Sequence, residues 1–178
     1  MNSLSLIISA VGSDRSGIVS EISGIITSHG GNVEESQMSR LGADFAIIML
    51  VSVTPDWVES LEVALQSIND LTIISKPTET KQEREGIQCQ IDLSGADNEG
   101  IVKVLSKYLA GKSINILEMQ THISNAPVSG TPLFNLKAII AIPENLNKTN
   151  IQSDLNQIAQ KLGVEIIVNQ SESIVETA

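Results

Sequence analysis

Cysteine and aromatic residues are nearly absent from this 178-residue chain, which has one Cys, one Trp, one Tyr and two Phe. The single Cys89 excludes an intramolecular disulfide, and no paired-cysteine metal motif occurs. With so few rings the core must be aliphatic, and 42% apolar residues suffice to fill one. Positive charge is also scarce: 11 Lys and Arg stand against 21 Asp and Glu, a formal net charge of -10. A sequence-independent grip on nucleic acid needs clustered Lys and Arg to displace counterions, and no such run is present. No apolar stretch approaches the roughly 20 residues of a membrane span. The opening "MNSLSLIISAVGSDR" lacks a basic leader, and its short apolar run, punctuated by Ser, reads as a first strand. The expectation is a soluble, reduced, cytoplasmic protein with no membrane partner, no direct nucleic-acid contact and no cofactor.

What is present is a repeat. Laying Gly17 on Gly100 aligns the two halves without a gap for about thirty residues, roughly a third of them identical. Ile8, Gly12 and Asp14 fall on Ile91, Gly95 and Asp97, and Ile18 and Val19 fall on Ile101 and Val102. The boundary expected between the halves is charged, contains Pro and has no periodicity. It divides the chain into a first unit over 1–76, a linker over 77–85 and a second unit over 86–178.

Within the first unit, Leu4, Leu6, Ile8 and Ala10 alternate as a strand does, and Ile18, Val19, Ile22, Ile25 and Ile26 mark one helical face. "HGGNV" ends that helix, with glycine supplying a positive φ. A polar strand "VEESQMSRL" and an apolar one "FAIIMLVSV" follow, joined by a turn at "LGAD". Thr54-Pro55-Asp56 predicts a helix start, with Thr at the N-cap. Val58, Leu61, Leu65 and Ile68 recur at helical spacing, and "LTIIS" closes the unit as a strand. The second unit repeats the order, with helices over 99–111 and 148–162 and Gly163 ending the latter. The order βαββαβ predicts an α+β chain of two ferredoxin-like domains, each an antiparallel sheet with both helices on one face. The first and third strands should be central and the polar second strand an edge. Ala46, Ile48 and Leu50 give the third strand a second apolar face, which is expected to meet another domain or subunit.

The repeated turns "GSDRSGIV" and "GADNEGIV" are the candidate sites. A P-loop requires Lys and Ser or Thr after the second glycine, and Ile18-Val19 and Ile101-Val102 stand there instead. Two readings stay open. Asp14 and Asp97 cap the helices that follow, which needs nothing beyond the turn itself. Alternatively, the helix N-terminus takes a carboxylate while the Asp accepts from an ammonium, which together match the two ends of an amino acid. His29 and His122 lie outside metal-ligand spacing, and His29 reads as structural. Trp57 reads as a core or helix-start packing residue, and Cys89 as a buried, neutral thiol. Glu34 and Glu35 read as solvated edge residues. No constellation of an enzyme emerges.

D-R-x-G-I-V after a first strand, then "GGNVEESQMSRLGADFAI", resembles the ACT domain, a βαββαβ module that senses small molecules. "APVSGTPLFNLKAIIAIP" in the second half resembles the glycine cleavage system transcriptional repressor family. The resemblance implies a non-enzymatic regulator that binds a small amino acid, glycine being the natural choice. It also implies pairing of domains or subunits, homo-oligomers included, and action through a DNA-binding protein partner. Carried over residue by residue, Asp14, Arg15, Gly17, Ile18 and Val19 form a first ligand site, with Asn32 shaping it. Asp97, Asn98, Gly100, Ile101 and Val102 form a second, with Asn115 in the corresponding place. Asn98 in place of Arg15 and Glu99 in place of Ser16 predict an altered or silent second site. The alternative is an adaptor whose sites are vestigial.

Overall fold

The computed structural model describes residues 3–79, 86–126 and 130–170. Two compact units, Met1–Gln82 and Glu83–Ala178, divide the chain. The first comprises β1 (Leu4–Ser13), α1 (Ile18–Ser28), β2 (Asn32–Leu41), β3 (Asp44–Val53), α2 (Val58–Gln66) and β4 (Leu71–Thr78). The second repeats it with β5 (Ile87–Ala96), α3 (Ile101–Gly111), β6 (Asn115–Asn125), β7 (Pro132–Ile142), α4 (Lys148–Leu162) and β8 (Val164–Gln170). The sheets run β2-β3-β1-β4 and β6-β7-β5-β8, all pairs antiparallel, so the apolar first and third strands are central as their composition requires. β4 extends through Thr78 and so takes up Pro77 and Thr78, which the sequence assigns to the linker. Pro77 is tolerated because β4 is an edge. Residues 80–85 of the expected linker and 127–129 of the "SGTPLF" hairpin region lie outside the described residues.

Each unit has its own aliphatic core. Leu6, Ile8 and Ala10 of β1 pack on Ile18, Ile22 and Ile26 of α1, Leu61 and Leu65 of α2, and Phe45 through Val53 on the inner face of β3. In the second, Cys89, Ile91 and Leu93 meet Ile101, Leu105 and Leu109 of α3 and Ile151, Leu155 and Ala159 of α4. The four-residue spacing of Ile18, Ile22 and Ile26 is what puts them on one stripe. Cys89 is fully buried and desolvation raises its thiol pKa, as the neutral reading requires. On the opposite face of the first sheet Val11, Ile48 and Ile74 are 51%, 48% and 62% exposed, apolar surface that the helices do not cover.

Helix ends follow local chemistry with two departures. Gly163 takes a left-handed conformation after α4, and Asn147 caps that helix by accepting from the Thr149 N–H at 2.8 Å. Thr54, expected to cap, makes no side-chain cap; Pro55–Trp57 form a 3-10 turn and α2 begins at Val58. Trp57 is not in the core: it is 47% exposed and meets the edge of His29, with ring centroids 5.9 Å apart.

In the second unit a polar tie joins the helices. The Tyr108 hydroxyl donates to Asp154 at 3.0 Å, and Lys112 pairs with the same carboxylate oxygen at 3.1 Å. Burial, followed by the hydrogen bond to Asp154, pushes the Tyr108 hydroxyl up to about 12. A raised folded pKa means this contribution to stability is intact below the unfolded value of about 10 and lost as pH rises through about 12. Tyr108 is the sole tyrosine, so tyrosinate absorbance reads it alone. Its midpoint is expected near 12 in the native protein and near 10 in denaturant; a native midpoint near 10 would remove the tie.

Candidate functional site

The glycines that frame the two repeated turns serve different physical needs. Gly12 still lies within β1, and a Cβ there would stand 2.3 Å from the Asp70 carbonyl oxygen. At Gly95 a Cβ would stand 2.6 Å from the Val164 Cα. These glycines let the first residues of β4 and β8 approach. Gly17 and Gly100 are N-cap residues at φ 90 and 84, left-handed conformations in which a Cβ would be strained, and nothing crowds them.

Neither Asp14 nor Asp97 caps a helix: the N-cap residues are Gly17 and Gly100, and neither carboxylate accepts from a helix N–H. The left-handed N-cap turns the chain so that the preceding carboxylate faces elsewhere. Asp14 pairs with Arg40 of β2 at 3.1 Å, and its backbone N–H donates to the Ala43 carbonyl at 2.9 Å. The N–H groups of the first turn of α1 therefore keep their partial positive charge without a side-chain cap.

Arg15 lies across this end of the helix. Its guanidinium donates through Nε and Nη2 to both Asp70 oxygens, the Nη2–Oδ1 distance being 3.2 Å, and through Nη2 to Glu21 as well. The two carboxylates raise the Arg15 pKa, and Arg15 in turn lowers that of Asp70. Asp14, Arg15, Gly17, Ile18, Val19, Ser20, Met38 and Phe45 line a depression of about 320 Å³. The Ile18 side chain is core, so it offers the depression its backbone only, whereas Val19 is exposed.

The structure thus brings together Asp14, Arg15, Gly17, Ile18 and Val19, and leaves Asn32 out. Asn32 pairs with Ser52, while Asp44 at the turn end of the sheet pairs with Leu41 and Ser13. Eight residue steps along β3 separate the two ends, about 26 Å at the usual rise. The Asn32 amide donates instead to Glu34 beside the β-bulge, at 3.1 Å, and Glu34 also accepts from Ser52. Those bonds lower the Glu34 pKa, so this acid is engaged rather than merely solvated.

Besides the lining residues Ser20, Met38 and Phe45, three charged residues of the site escape sequence reasoning: Glu21, Arg40 and Asp70. Arg40 stands beside Phe45 in the register, and Asp70 is 55 positions from Arg15. The one available signal was the repeat itself. Glu21 and Arg40 align with Val104 and Ile123, so these two charges occur at the first turn and not at the second.

The second turn keeps the backbone and changes the chemistry. Asn98 donates its amide to the Leu162 carbonyl at the end of α4, at 2.9 Å, which ties turn to corner as Arg15–Asp70 does in the first unit. Asp97 and Glu99 are exposed, and Asp97 has no charged partner among the described residues. Ile101 is buried in the core and Val102 is exposed at the helix start.

Comparisons with known proteins agree with this architecture. The ACT domain family profile matches residues 5–73. The glycine cleavage system transcriptional repressor of Escherichia coli (strain K12) is 25% identical over 170 residues, 92% of this chain and 88% of that protein. The protein of the same name from Shigella flexneri matches equally. The crystal structure of an unknown protein from Galdieria sulphuraria superposes with a TM-score of 0.85 at 31% identity, covering 95% of this chain and 99% of that one. A candidate glycine cleavage system transcriptional repressor superposes at 0.70 with 21% identity, over 95% and 98% of the two chains, which bears on the fold alone. Residues 5–73 thus match the ACT domain, the second unit repeats the same ACT-type βαββαβ fold, and the chain is similar along most of its length to the glycine cleavage system transcriptional repressor.

Proposed function

We propose that this protein is a regulator that binds a small amino acid, glycine, at the turn between β1 and α1. Ligand occupancy then controls transcription of glycine cleavage genes through contact with a DNA-binding protein partner. The observation that carries the reading is the set of groups around the uncapped start of α1. Free N–H groups and Arg15 suit a carboxylate, while Asp14, Glu21 and Asp70 suit an ammonium. The similarity to a transcriptional repressor over 92% of the chain supports the regulatory role. Regulation here is differential binding, the ligand favouring one arrangement of the protein over another. The second turn is silent in this reading, because Asn98 is turned onto Leu162 and Glu99 repels a carboxylate.

Asp70 and Glu21 occupy the guanidinium that a ligand carboxylate needs, so binding at the first turn is a competition. Thermal unfolding in the presence of each of the twenty amino acids tests this. A ligand binding only the native state adds about 2.7 kcal/mol at a hundredfold excess over Kd. Glycine is expected to raise the first unit's melting temperature, Arg15→Ala to lose the response, and Asp70→Asn to strengthen it by releasing Arg15. A flat panel at millimolar concentrations would sink the sensing reading and favour the adaptor. An unchanged response in Arg15→Ala would move the site elsewhere.

A further inference from the structure

The two open sheet faces have diverged far more than the two cores. Register alignment places His122, Asn135, Ser94 and Glu165 in one row across β6-β7-β5-β8. The next row on the same face is Gln120, Lys137, Asp92 and Ile167. The equivalent rows of the first sheet are Ser39, Ala46, Val11 and Thr72, then Gln37, Ile48, Ser9 and Ile74. Those contain no charge at all. Both rows of the second sheet run from a basic side on β6 and β7 to an acidic side on β5 and β8.

We propose that this face of the second unit is a binding site for a free α-amino acid bearing a side chain, separate from either repeated turn. The rows surround a depression of about 270 Å³. That is the liquid volume of roughly nine waters, so a molecule without a side chain leaves most of it unfilled. Lys137 and Asp92 stand directly opposite each other on adjacent strands, which run about 4.8 Å apart. They form no ion pair with each other or with any other described residue. Asp92 is instead held by Gln90 at 2.7 Å and Asn169 at 3.4 Å, which fixes its carboxylate. Asn135 is fixed likewise, accepting from Ser94 at 3.0 Å and donating to Ser124 at 2.8 Å.

A ligand whose carboxylate and ammonium share one carbon spans Lys137 and Asp92 and completes the pair that the protein leaves open. The adjoining row of Asn135 and Ser94 supplies His122 on the carboxylate side and Glu165 on the ammonium side. Ile167, beside Asp92 and 45% exposed, offers an apolar wall for the ligand's own side chain. Charge on both ends, rather than an apolar sheet, is what distinguishes this face from its duplicate.

Amide chemical-shift titration of the full chain with each of the twenty free amino acids tests the site. At least one with a side chain should give saturable shifts at Ser94, His122, Asn135 and Lys137, with glycine weaker by about tenfold or more. Lys137→Met at an exposed position and Asp92→Asn at a half-buried one both keep side-chain size and should each weaken that binding by about tenfold or more. Arg15→Ala should leave it unchanged, which separates this site from the one at the first turn. Absence of saturable shifts on these amides, their loss in Arg15→Ala, or unaltered affinity in Lys137→Met would each overturn the proposal.

Discussion

Leu105→Ala is expected to lower the unfolding free energy of the second unit by about 3–4 kcal/mol, without moving the unfolding of the first. Leu105 is fully buried on α3 in a cluster that contains no residue of the first unit. Removing its branched end loses the transfer free energy of those carbons and leaves a cavity lined by side chains fixed on β5, β7 and α4. The loss is a large part of the roughly 5–15 kcal/mol that stabilises a typical domain. The chain carries its own reporters: Trp57, the only tryptophan, belongs to the first unit, and Tyr108, the only tyrosine, to the second. Denaturant titration followed by Trp57 fluorescence and by tyrosine absorbance should show the second transition alone moving to lower midpoint. Equal displacement of both would mean that the units unfold together. The same variant bears on function: a ligand response that survives it belongs to the first unit.

Gly12→Ala is expected to destabilise the first unit by about 2–3 kcal/mol, the range of an overpacked core position. The added Cβ would lie 2.3 Å from the Asp70 carbonyl oxygen and 2.7 Å from the Leu71 Cδ2. The closer atom is backbone, so no rotamer change relieves it, and the corner before β4 must move. Gly24 is the control, because a Cβ there meets nothing within 4 Å and the residue lies inside α1. Gly24→Ala should therefore gain about 0.5–1 kcal/mol through helix propensity. Trp57 fluorescence in denaturant reads both variants. A neutral Gly12→Ala would mean that β4 sits further from β1 than the register places it. Displacement of this corner also carries Asp70 away from Arg15, so the variant is expected to change the response to glycine as well as stability. Arg15→Ala, in contrast, should change the response with little effect on stability, since exposed ion pairs contribute about 0–1 kcal/mol.

Much of the architecture was legible because the patterns behind it are local. Period-two alternation at Leu4 to Ala10 and period-four spacing at Ile18, Ile22 and Ile26 each decide which face is buried, whatever the neighbours are. The aligned turns reveal the duplication, and the polarity of "VEESQMSRL" marks β2 as an edge. Gly163 and the helix over 148–162 were equally plain, because a capping glycine and an apolar stripe coincide there. For Trp57 the sequence left core and helix-start packing open, and the 3-10 turn before α2 decides for the second, leaving the ring half exposed against His29.

The candidate site was legible only in part. Sequence sufficed to find the turn, to rule out a phosphate loop through Ile18 and Val19, and to distinguish Arg15 from Asn98. Of the two readings it left open for Asp14, helix cap or partner of a ligand ammonium, the first fails, because the carboxylate pairs with Arg40. It grouped Asn32 with the turn, although a strand's length lies between them.

By itself, then, the sequence determined two βαββαβ units, their aliphatic cores and the place of the repeated turn, because hydrophobic periodicity and backbone-permissive glycines act within a few residues of themselves. Only the tertiary structure decided what the turn touches. Asp70 meets Arg15 from 55 positions away, Leu162 receives Asn98 from 64, and Gly12 and Gly95 answer to strands that pair with them at the far end of each unit. Such contacts depend on register and on the angle at which a helix leaves its strand. Those quantities exist only once the sheet has formed.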